Sequence, residues 1–158
     1  MSRAFVDESA SESREQEAPE LKIPLPPGAR NYVTPEGAAR TRAELDSLLA
    51  AAQPRLREVE RRIQYLSRMI AIMEVVTPEA GRLQRVVFGA TVTADAEPGG
   101  RRTYRIVGVD ESDPSRGSLS WVSPIARALM GRKAGESVSV SLPSEQLRLT
   151  VVSIDTGR

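Results

Sequence analysis

The sequence predicts an α+β protein, in which an N-terminal antiparallel coiled-coil hairpin of two α-helices precedes an antiparallel β domain with one short helix. In the first half of the chain, apolar residues recur at alternating gaps of three and four, which is typical of paired helices. In the second half, the apolar period changes to two, and turns rich in glycine and proline separate the segments. At 158 residues, the chain suits one domain with an appendage, or two small domains.

Residues 1–30 are predicted to form a disordered acidic tail. Acidic residues outnumber arginines there, and serine and alanine fill the gaps between them. Such a segment buries too little apolar surface to offset the entropy lost on ordering. Pro24, Pro26 and Pro27 then form a stiff lead into the hairpin, which we assign to residues 31–77.

The second helix of the hairpin is predicted over residues 54–76. Pro54 suits the first turn of a helix, where its missing N–H costs nothing. The apolar positions form a heptad seam that requires a partner helix. That seam comprises Leu56, Val59, Ile63, Leu66, Ile70 and Met73. The remaining faces are solvated and somewhat basic. The candidate basic face comprises Arg55, Arg57, Arg61 and Arg62.

The partner helix is predicted just upstream, over residues 35–52. Thr34 provides an N-cap, Pro35 the first helical position, and Glu36 a negative charge in the first turn. Because almost no loop separates the two patterns, the helices must fold back on each other to bury both apolar stripes. The apolar residues expected to meet across the hairpin are Leu45, Leu49, Val59 and Ile63. The alternative is one long helix kinked at the intervening proline.

The β domain is predicted over residues 78–158. Its strands are expected at 85–93, 102–109, 119–122, 137–142 and 147–154. A short helix is expected over 124–130, with Ser123 as its N-cap, Pro124 at its first position and Gly131 after its end. Together these elements form a sheet with one helix packed across it.

The composition excludes several kinds of chemistry. Without cysteine or histidine, the chain has no disulfide, no thiol or imidazole catalysis and no zinc site of the usual ligands. A net charge of +1 does not demand a nucleic-acid partner. No apolar run is long enough to span a membrane, and the N-terminus lacks a hydrophobic signal region. We therefore expect a cytoplasmic, non-catalytic protein without a cofactor, a resident metal, a membrane or a sequence-specific nucleic-acid partner.

One predicted loop contains three acidic residues, Asp110, Glu111 and Asp113. Carboxylates suit hard cations, but clustered acids on a loop are usually solvated, and we adopt that interpretation. Trp121, between apolar neighbours, is expected to be partly in the core rather than a ligand platform.

Several segments, taken together, resemble the GreA/GreB transcript-cleavage and elongation factors of bacterial RNA polymerase. They occur in the same order and at the family's spacing over residues 31–155. Several motifs that coincide in this way are more specific for a family than a single motif. The matching segments are residues 32–37, 43–45, 55–66, 88–90, 105–108, 110–111, 123–129 and 135–136.

The resemblance implies an FKBP-like C-terminal domain behind the coiled coil. Family members dock this domain on the rim of the polymerase secondary channel and insert the coiled coil toward the active centre. Acidic residues at the coiled-coil tip, in a Gly-Asp-x-x-Glu-Asn type loop, help to hold the second catalytic Mg²⁺ that cleaves backtracked RNA, a role that suits carboxylates. By the same resemblance, the polymerase-docking residues here are Asp110, Trp121, Val122, Ser123, Pro124 and Arg127.

The sequence departs from the family at the coiled-coil tip. Residues 50–55 read Ala-Ala-Ala-Gln-Pro-Arg, so the family's tip loop and distal helical turns are missing, and the nearest acids are Asp46 and Glu58. Val122 stands where Gre factors have an acid before the Ser-Pro motif, which weakens one docking contact. Both departures resemble Rnk-type proteins, which are Gre-related polymerase binders with a truncated coiled coil and no cleavage activity.

These observations predict a regulator that binds bacterial RNA polymerase at the secondary channel, competes with true Gre factors and does not stimulate cleavage. Three alternatives stay open. The protein is a genuine Gre-type factor that uses another acid, or a dimerisation protein whose helices pair between chains. Otherwise its FKBP-like module is a ligand binder or prolyl isomerase, which requires an aromatic pocket built around Trp121, Tyr104 and Phe88.

Overall fold

The computed structural model describes residues 21–51 and 53–156. Most of the predicted acidic tail therefore lies outside the described residues. The elements are β1 Asn31–Val33, α1 Pro35–Ala50, α2 Arg57–Ala71, β2 Met73–Val75, β3 Ala90–Glu97, β4 Gly100–Val107, β5 Ser118–Ser120, α3 Pro124–Leu129, β6 Ser137–Ser141 and β7 Gln146–Thr156. Two 3₁₀ turns, Val109–Glu111 and Pro114–Arg116, lie between β4 and β5. The α+β class is confirmed, and none of the described helices is both long and apolar enough to cross a membrane.

The two helices are separated by residues 51–56, so no single helix runs through Pro54. Both helices are shorter than predicted. The second begins only at Arg57, because Pro54 precedes it and Leu56, in an extended conformation, is its N-cap. Arg55 helps to end α1, since its guanidinium donates to the carbonyl oxygen of Leu49 at 2.6 Å. That bond satisfies one of the carbonyls that a helix C-terminus leaves without a helical partner.

The helices pack side by side in opposite directions. Arg62 of α2 donates through Nε and Nη2 to the two carboxylate oxygens of Glu44 in α1, at 2.7 and 2.9 Å. Apolar side chains are buried at the base of this pair but not near the turn. Leu66 of the predicted seam is fully buried, and so is Met69, which lies outside that seam, whereas the predicted Ile70 is only half-buried. Near the turn, Leu49 is 48% and Leu56 73% exposed. The expectation that Leu49 and Leu56 would be covered is therefore wrong, since no further element of the described chain reaches the turn.

The predicted second helix ends early, and its last heptad residue, Met73, lies in a strand. β2 pairs in parallel with β1 over the register Asn31–Met73 to Val33–Val75, a two-stranded sheet that the sequence did not predict. Valine favours extended backbone, and β1 offers the partner strand. The side-chain amide of Asn31 also donates to the carbonyl oxygen of Met69 at 3.1 Å, which closes the C-terminal end of α2.

The second half of the chain forms a five-stranded sheet of order β5-β4-β3-β7-β6. All its pairings are antiparallel except that of β4 with β5, which is parallel. The prediction of a wholly antiparallel sheet is therefore wrong at β5, because the chain crosses over through the two 3₁₀ turns before it pairs again.

Most element boundaries of this half agree with the prediction to within two residues, but β3 spans Ala90–Glu97 rather than residues 85–93. The preceding Val86 and Phe88 are apolar and buried, and their alternation predicts a strand. Gly89, however, has a φ of +81°, which breaks the extended backbone before β3. Within β3, every second residue is buried. α3 packs Ala126 and Leu129 into the same apolar core.

Candidate functional site

An apolar groove lies where β1 meets the segments that follow β2 and β5. Its volume is about 380 Å³, and its lining residues are Tyr32, Val76, Pro78, Val87, Phe88, Trp121 and Met130. The ring of Tyr32 packs edge-on against Trp121, with centroids 5.3 Å apart, and lies 6.2 Å from the ring of Phe88. Val87 and Met130 remain 40% and 37% exposed, and grouped exposed apolar side chains mark an interaction surface.

Five of the six predicted docking residues form one segment that begins at this groove. Trp121 lines the groove, and its backbone N–H donates to the carbonyl oxygen of Val107 in β4 at 2.9 Å. The hydroxyl of Ser123 accepts from the N–H of Ala126 at 3.3 Å, so it caps α3 as predicted. The other members are the half-buried Val122 and the exposed Pro124 and Arg127.

The sixth predicted docking residue, Asp110, is engaged with α2. It lies in the turn Val109–Glu111, and its Oδ1 accepts a hydrogen bond from the Tyr65 hydroxyl of α2 at 2.6 Å. Burial of the phenol and this hydrogen bond raise the pKa of Tyr65, because both favour the neutral form. The guanidinium of Arg62 lies 5.4 Å from the centre of the Tyr65 ring, within reach of a cation–π contact.

Glu111 is not the solvated loop acid that the sequence predicted, since its side chain is only 5% exposed. Its Oε2 accepts from the backbone N–H groups of Thr34 and Gly108, both at 3.0 Å, and its Oε1 accepts from the Thr34 hydroxyl. Arg40 lies 3.8 Å from the same carboxylate. The signal in the sequence was Gly37, a poor helix former in the first turn of a predicted helix.

The predicted basic face of α2 is heterogeneous. Arg62 is paired with Glu44, and Arg55 donates to a backbone carbonyl of α1, whereas Arg57 and Arg61 are exposed. Glu58 is the second residue of α2. Because α2 begins later than predicted, this acid lies closer to the turn between the helices than the sequence indicated. Within residues 21–51 and 53–156, no acidic side chains gather into a set that could hold a metal ion.

Comparison with known proteins identifies the family. The family described as "Transcription elongation factor, GreA/GreB, C-term" matches residues 81–156. Transcription elongation factor GreB of Xanthomonas axonopodis pv. citri is 36% identical, over 82% of this chain and 95% of the relative. Transcription elongation factor GreA of Desulfovibrio desulfuricans is 38% identical, over 75% of this chain and 72% of the relative.

Among solved structures, "Prokaryotic transcription elongation factor GreA/GreB from Nitrosomonas europaea" is 24% identical, with a TM-score of 0.41 over 80% of this chain and 99% of that one. That superposition is too loose to add to the assignment, which rests on the sequence relatives. With 36% identity over nearly the whole of a GreB relative, this chain belongs to the GreA/GreB transcription elongation factor family.

Proposed function

We propose that this protein binds bacterial RNA polymerase at the rim of the secondary channel and regulates elongation without stimulating transcript cleavage. Family membership supports the polymerase as the partner, and such a partner implies a cytoplasmic location. The observation that carries the second half of the proposal is the turn at residues 51–56, which holds no acidic residue. In the Gre factors that this chain resembles, acidic residues at this position help to hold a catalytic Mg²⁺.

The proposal divides the chain into an acidic tail at residues 1–30, a short antiparallel coiled coil at residues 31–77 and an FKBP-like domain at residues 78–158. The opposed directions of α1 and α2 support the coiled coil. The five-stranded sheet with α3 packed on it supports the FKBP-like domain.

The proposed docking surface is the apolar groove together with the segment from Trp121 to Arg127. The groove offers apolar contact area, and the exposed Pro124 and Arg127 beside it offer a rigid corner and a positive charge. By the family pattern, Asp110 belongs to the same surface, although its carboxylate also binds Tyr65. A protein that occupies this rim competes with true Gre factors for the same place.

The chemistry of the tip argues against cleavage stimulation. Magnesium requires anionic oxygens at about 2.1 Å. Alanine side chains offer no ligand atom, Gln53 offers a neutral one, and Arg55 repels the cation. A genuine cleavage factor of this sequence would have to use Glu58, the acid closest to the turn along the chain.

The test of the proposal is co-purification of the full chain with core RNA polymerase, with and without substitutions in the docking segment. We expect the wild-type protein to bind, and the combined change Val122→Lys and Pro124→Ala to weaken binding. Folding should be preserved, because Pro124 is exposed and the Ser123 cap is kept. Ser139→Lys on the exposed side of β6 is the matched control. Normal binding by the double variant would remove this segment as the docking site, and failure of the wild-type protein to bind would remove the polymerase as the partner.

The groove also favours a second candidate function, that of an FKBP-like ligand binder or prolyl isomerase. Its volume falls in the range of small-ligand pockets, and three aromatic rings line it. Those rings are Tyr32, Phe88 and Trp121, whereas Tyr104 lies in the core. Trp121 is the sole tryptophan, so quenching of its fluorescence reports directly on occupancy. Prolyl isomerisation that is lost in Trp121→Ala would favour this function over a pure docking role.

A further inference from the structure

Two adjacent acidic residues in one 3₁₀ turn hold the two helices of the hairpin. In the turn Val109–Glu111, Asp110 accepts a hydrogen bond from the Tyr65 hydroxyl of α2. Glu111 accepts hydrogen bonds from the backbone N–H and the hydroxyl of Thr34, at the start of α1. We infer that this turn is a two-point clamp that fixes the direction in which the hairpin leaves the β domain, with Asp110 and Glu111 as positioning residues. The clamp itself does not depend on the proposed function. Only its expected effect on the position of the hairpin tip at the polymerase rests on that function.

The contact of Glu111 with α1 is strong and directional. Its carboxylate is nearly buried, and a buried carboxylate is tolerated only where hydrogen bonds and positive charge compensate for the lost water. Two backbone N–H groups, one hydroxyl and Arg40 surround it. The Thr34 hydroxyl also accepts from the N–H of Gly37 at 3.1 Å, so the N-cap of α1 and the clamp form one network.

Two glycines make room for this contact. A Cβ atom on Gly37 would overlap the Glu111 carboxyl group, and one on Gly108 would lie 2.7 Å from Glu111 Oε2 and 2.7 Å from the Tyr32 carbonyl oxygen. A larger residue at position 37 would displace the Glu111 side chain from this contact, and one at position 108 would also meet the Tyr32 backbone.

The contact of Asp110 with α2 extends across the hairpin. Tyr65 carries Arg62 over its ring, and Arg62 binds both carboxylate oxygens of Glu44 in α1. One line of polar contacts therefore runs from the turn through α2 to α1. On the other side of the turn, Arg105 of β4 lies 3.6 Å from Glu36 in the first turn of α1, a further contact between the two halves.

The clamp lies between the hairpin and the proposed docking segment. The turn follows β4 directly, and Val107 at the end of β4 accepts the backbone N–H of Trp121. The packing of Tyr32 against Trp121 and Phe88 attaches the halves without strong directionality, whereas hydrogen bonds depend on angle. For a helix of 15 residues, about 22 Å long, a tilt of roughly 10° at the base moves the tip by about 4 Å. Control of direction therefore decides where the tip lies once the β domain has docked.

The absence of cysteine permits a direct test by pulsed electron paramagnetic resonance. Spin labels on Ala50→Cys at the end of α1 and Ser139→Cys on β6, both exposed, report the distance between the tip and the β domain. We expect a narrow distribution in the otherwise unchanged full chain. Adding Glu111→Gln and Tyr65→Phe should broaden it and shift its mean, because glutamine replaces an anionic acceptor and phenylalanine removes the donor. Asp113→Asn is the matched control, since among the described residues the carboxylate of this loop acid accepts a hydrogen bond only from the nearby Ser115 hydroxyl, and the substitution should leave the distribution unchanged.

An unchanged distribution in the double variant, with a normal far-ultraviolet circular dichroism spectrum, overturns the clamp. Where Glu111→Gln prevents folding, Tyr65→Phe alone tests the other contact, and an unchanged distribution there overturns the clamp as well. Polymerase co-purification is measured in parallel. Failure of the wild-type protein to bind would reject the proposed function and leave the distance result standing, so the two ideas fail separately.

Discussion

At the scale of single residues, the surroundings of Tyr65 keep its phenol in the neutral form. Its phenol donates to Asp110 and is partly buried, and both effects raise its pKa above the ordinary tyrosine value of about 10. The raised pKa means that this stabilisation is fully present below the pKa of an unfolded tyrosine. It is lost as the pH rises through the higher pKa of the folded state.

A spectrophotometric titration of phenolate absorbance measures this directly. The absorbance change of the wild-type protein should contain a component above the ordinary tyrosine pKa, and Tyr65→Phe should lack that late component. A high-pH part of the curve that is unchanged in Tyr65→Phe would contradict the Tyr65–Asp110 hydrogen bond.

Residues whose roles are set by their neighbours in sequence were predictable, and those set by distant contacts were not. Thr34 and Ser123 were predicted as N-caps and accept the expected backbone N–H groups. For Glu111 the sequence predicts a solvated loop acid, because its partner Thr34 lies 77 residues away. Nothing in the local sequence distinguishes a clamped carboxylate from a hydrated one.

At the scale of elements, the base of the hairpin should carry most of its stability. Leu66 is 2% exposed, so Leu66→Asp would bury an uncompensated charge at a cost of about 3 kcal/mol or more in the free energy of unfolding. Leu49→Asp is the matched control, because Leu49 is 48% exposed near the turn, and it should cost far less. Urea unfolding followed by circular dichroism measures both. Equal losses would mean that the hairpin is stabilised along its whole seam.

The helices and most strands were predictable because their apolar periods are local, but their ends and pairings depend on tertiary partners. Residues 73–75 continue a heptad pattern, yet they leave the helix because β1 lies alongside and valine accepts extended backbone. The parallel pairing of β5 depends on a crossover whose two 3₁₀ turns have no apolar period. The groove was also unpredictable, since its lining comes from separated segments and includes Tyr32 of a strand absent from the prediction.

At the scale of the whole molecule, the two halves meet at the polar turn Val109–Glu111, at the aromatic packing of Tyr32 and at the contact of Arg105 with Glu36. The β domain carries the apolar groove, and the hairpin carries a short tip without acids at its turn. With α2 only about 22 Å long, the hairpin projects a smaller distance than the predicted span of residues 54–76 would have allowed. A short tip without acids is consistent with occupation of a channel entrance rather than with catalysis at its far end.

The last prediction follows from this division. The unmodified protein should not accelerate Mg²⁺-dependent cleavage of backtracked RNA, and it should reduce cleavage by a true Gre factor through competition for the rim. Inserting an acidic Gre tip, with the missing helical turns, between Ala50 and Leu56 should restore some cleavage, because it supplies both carboxylates and reach. The same insertion with the acids changed to amides is the control, and it should compete without cleaving. Robust cleavage by the unmodified protein that disappears in Glu58→Gln would instead identify Glu58 as a substitute ligand and make this protein an active Gre factor.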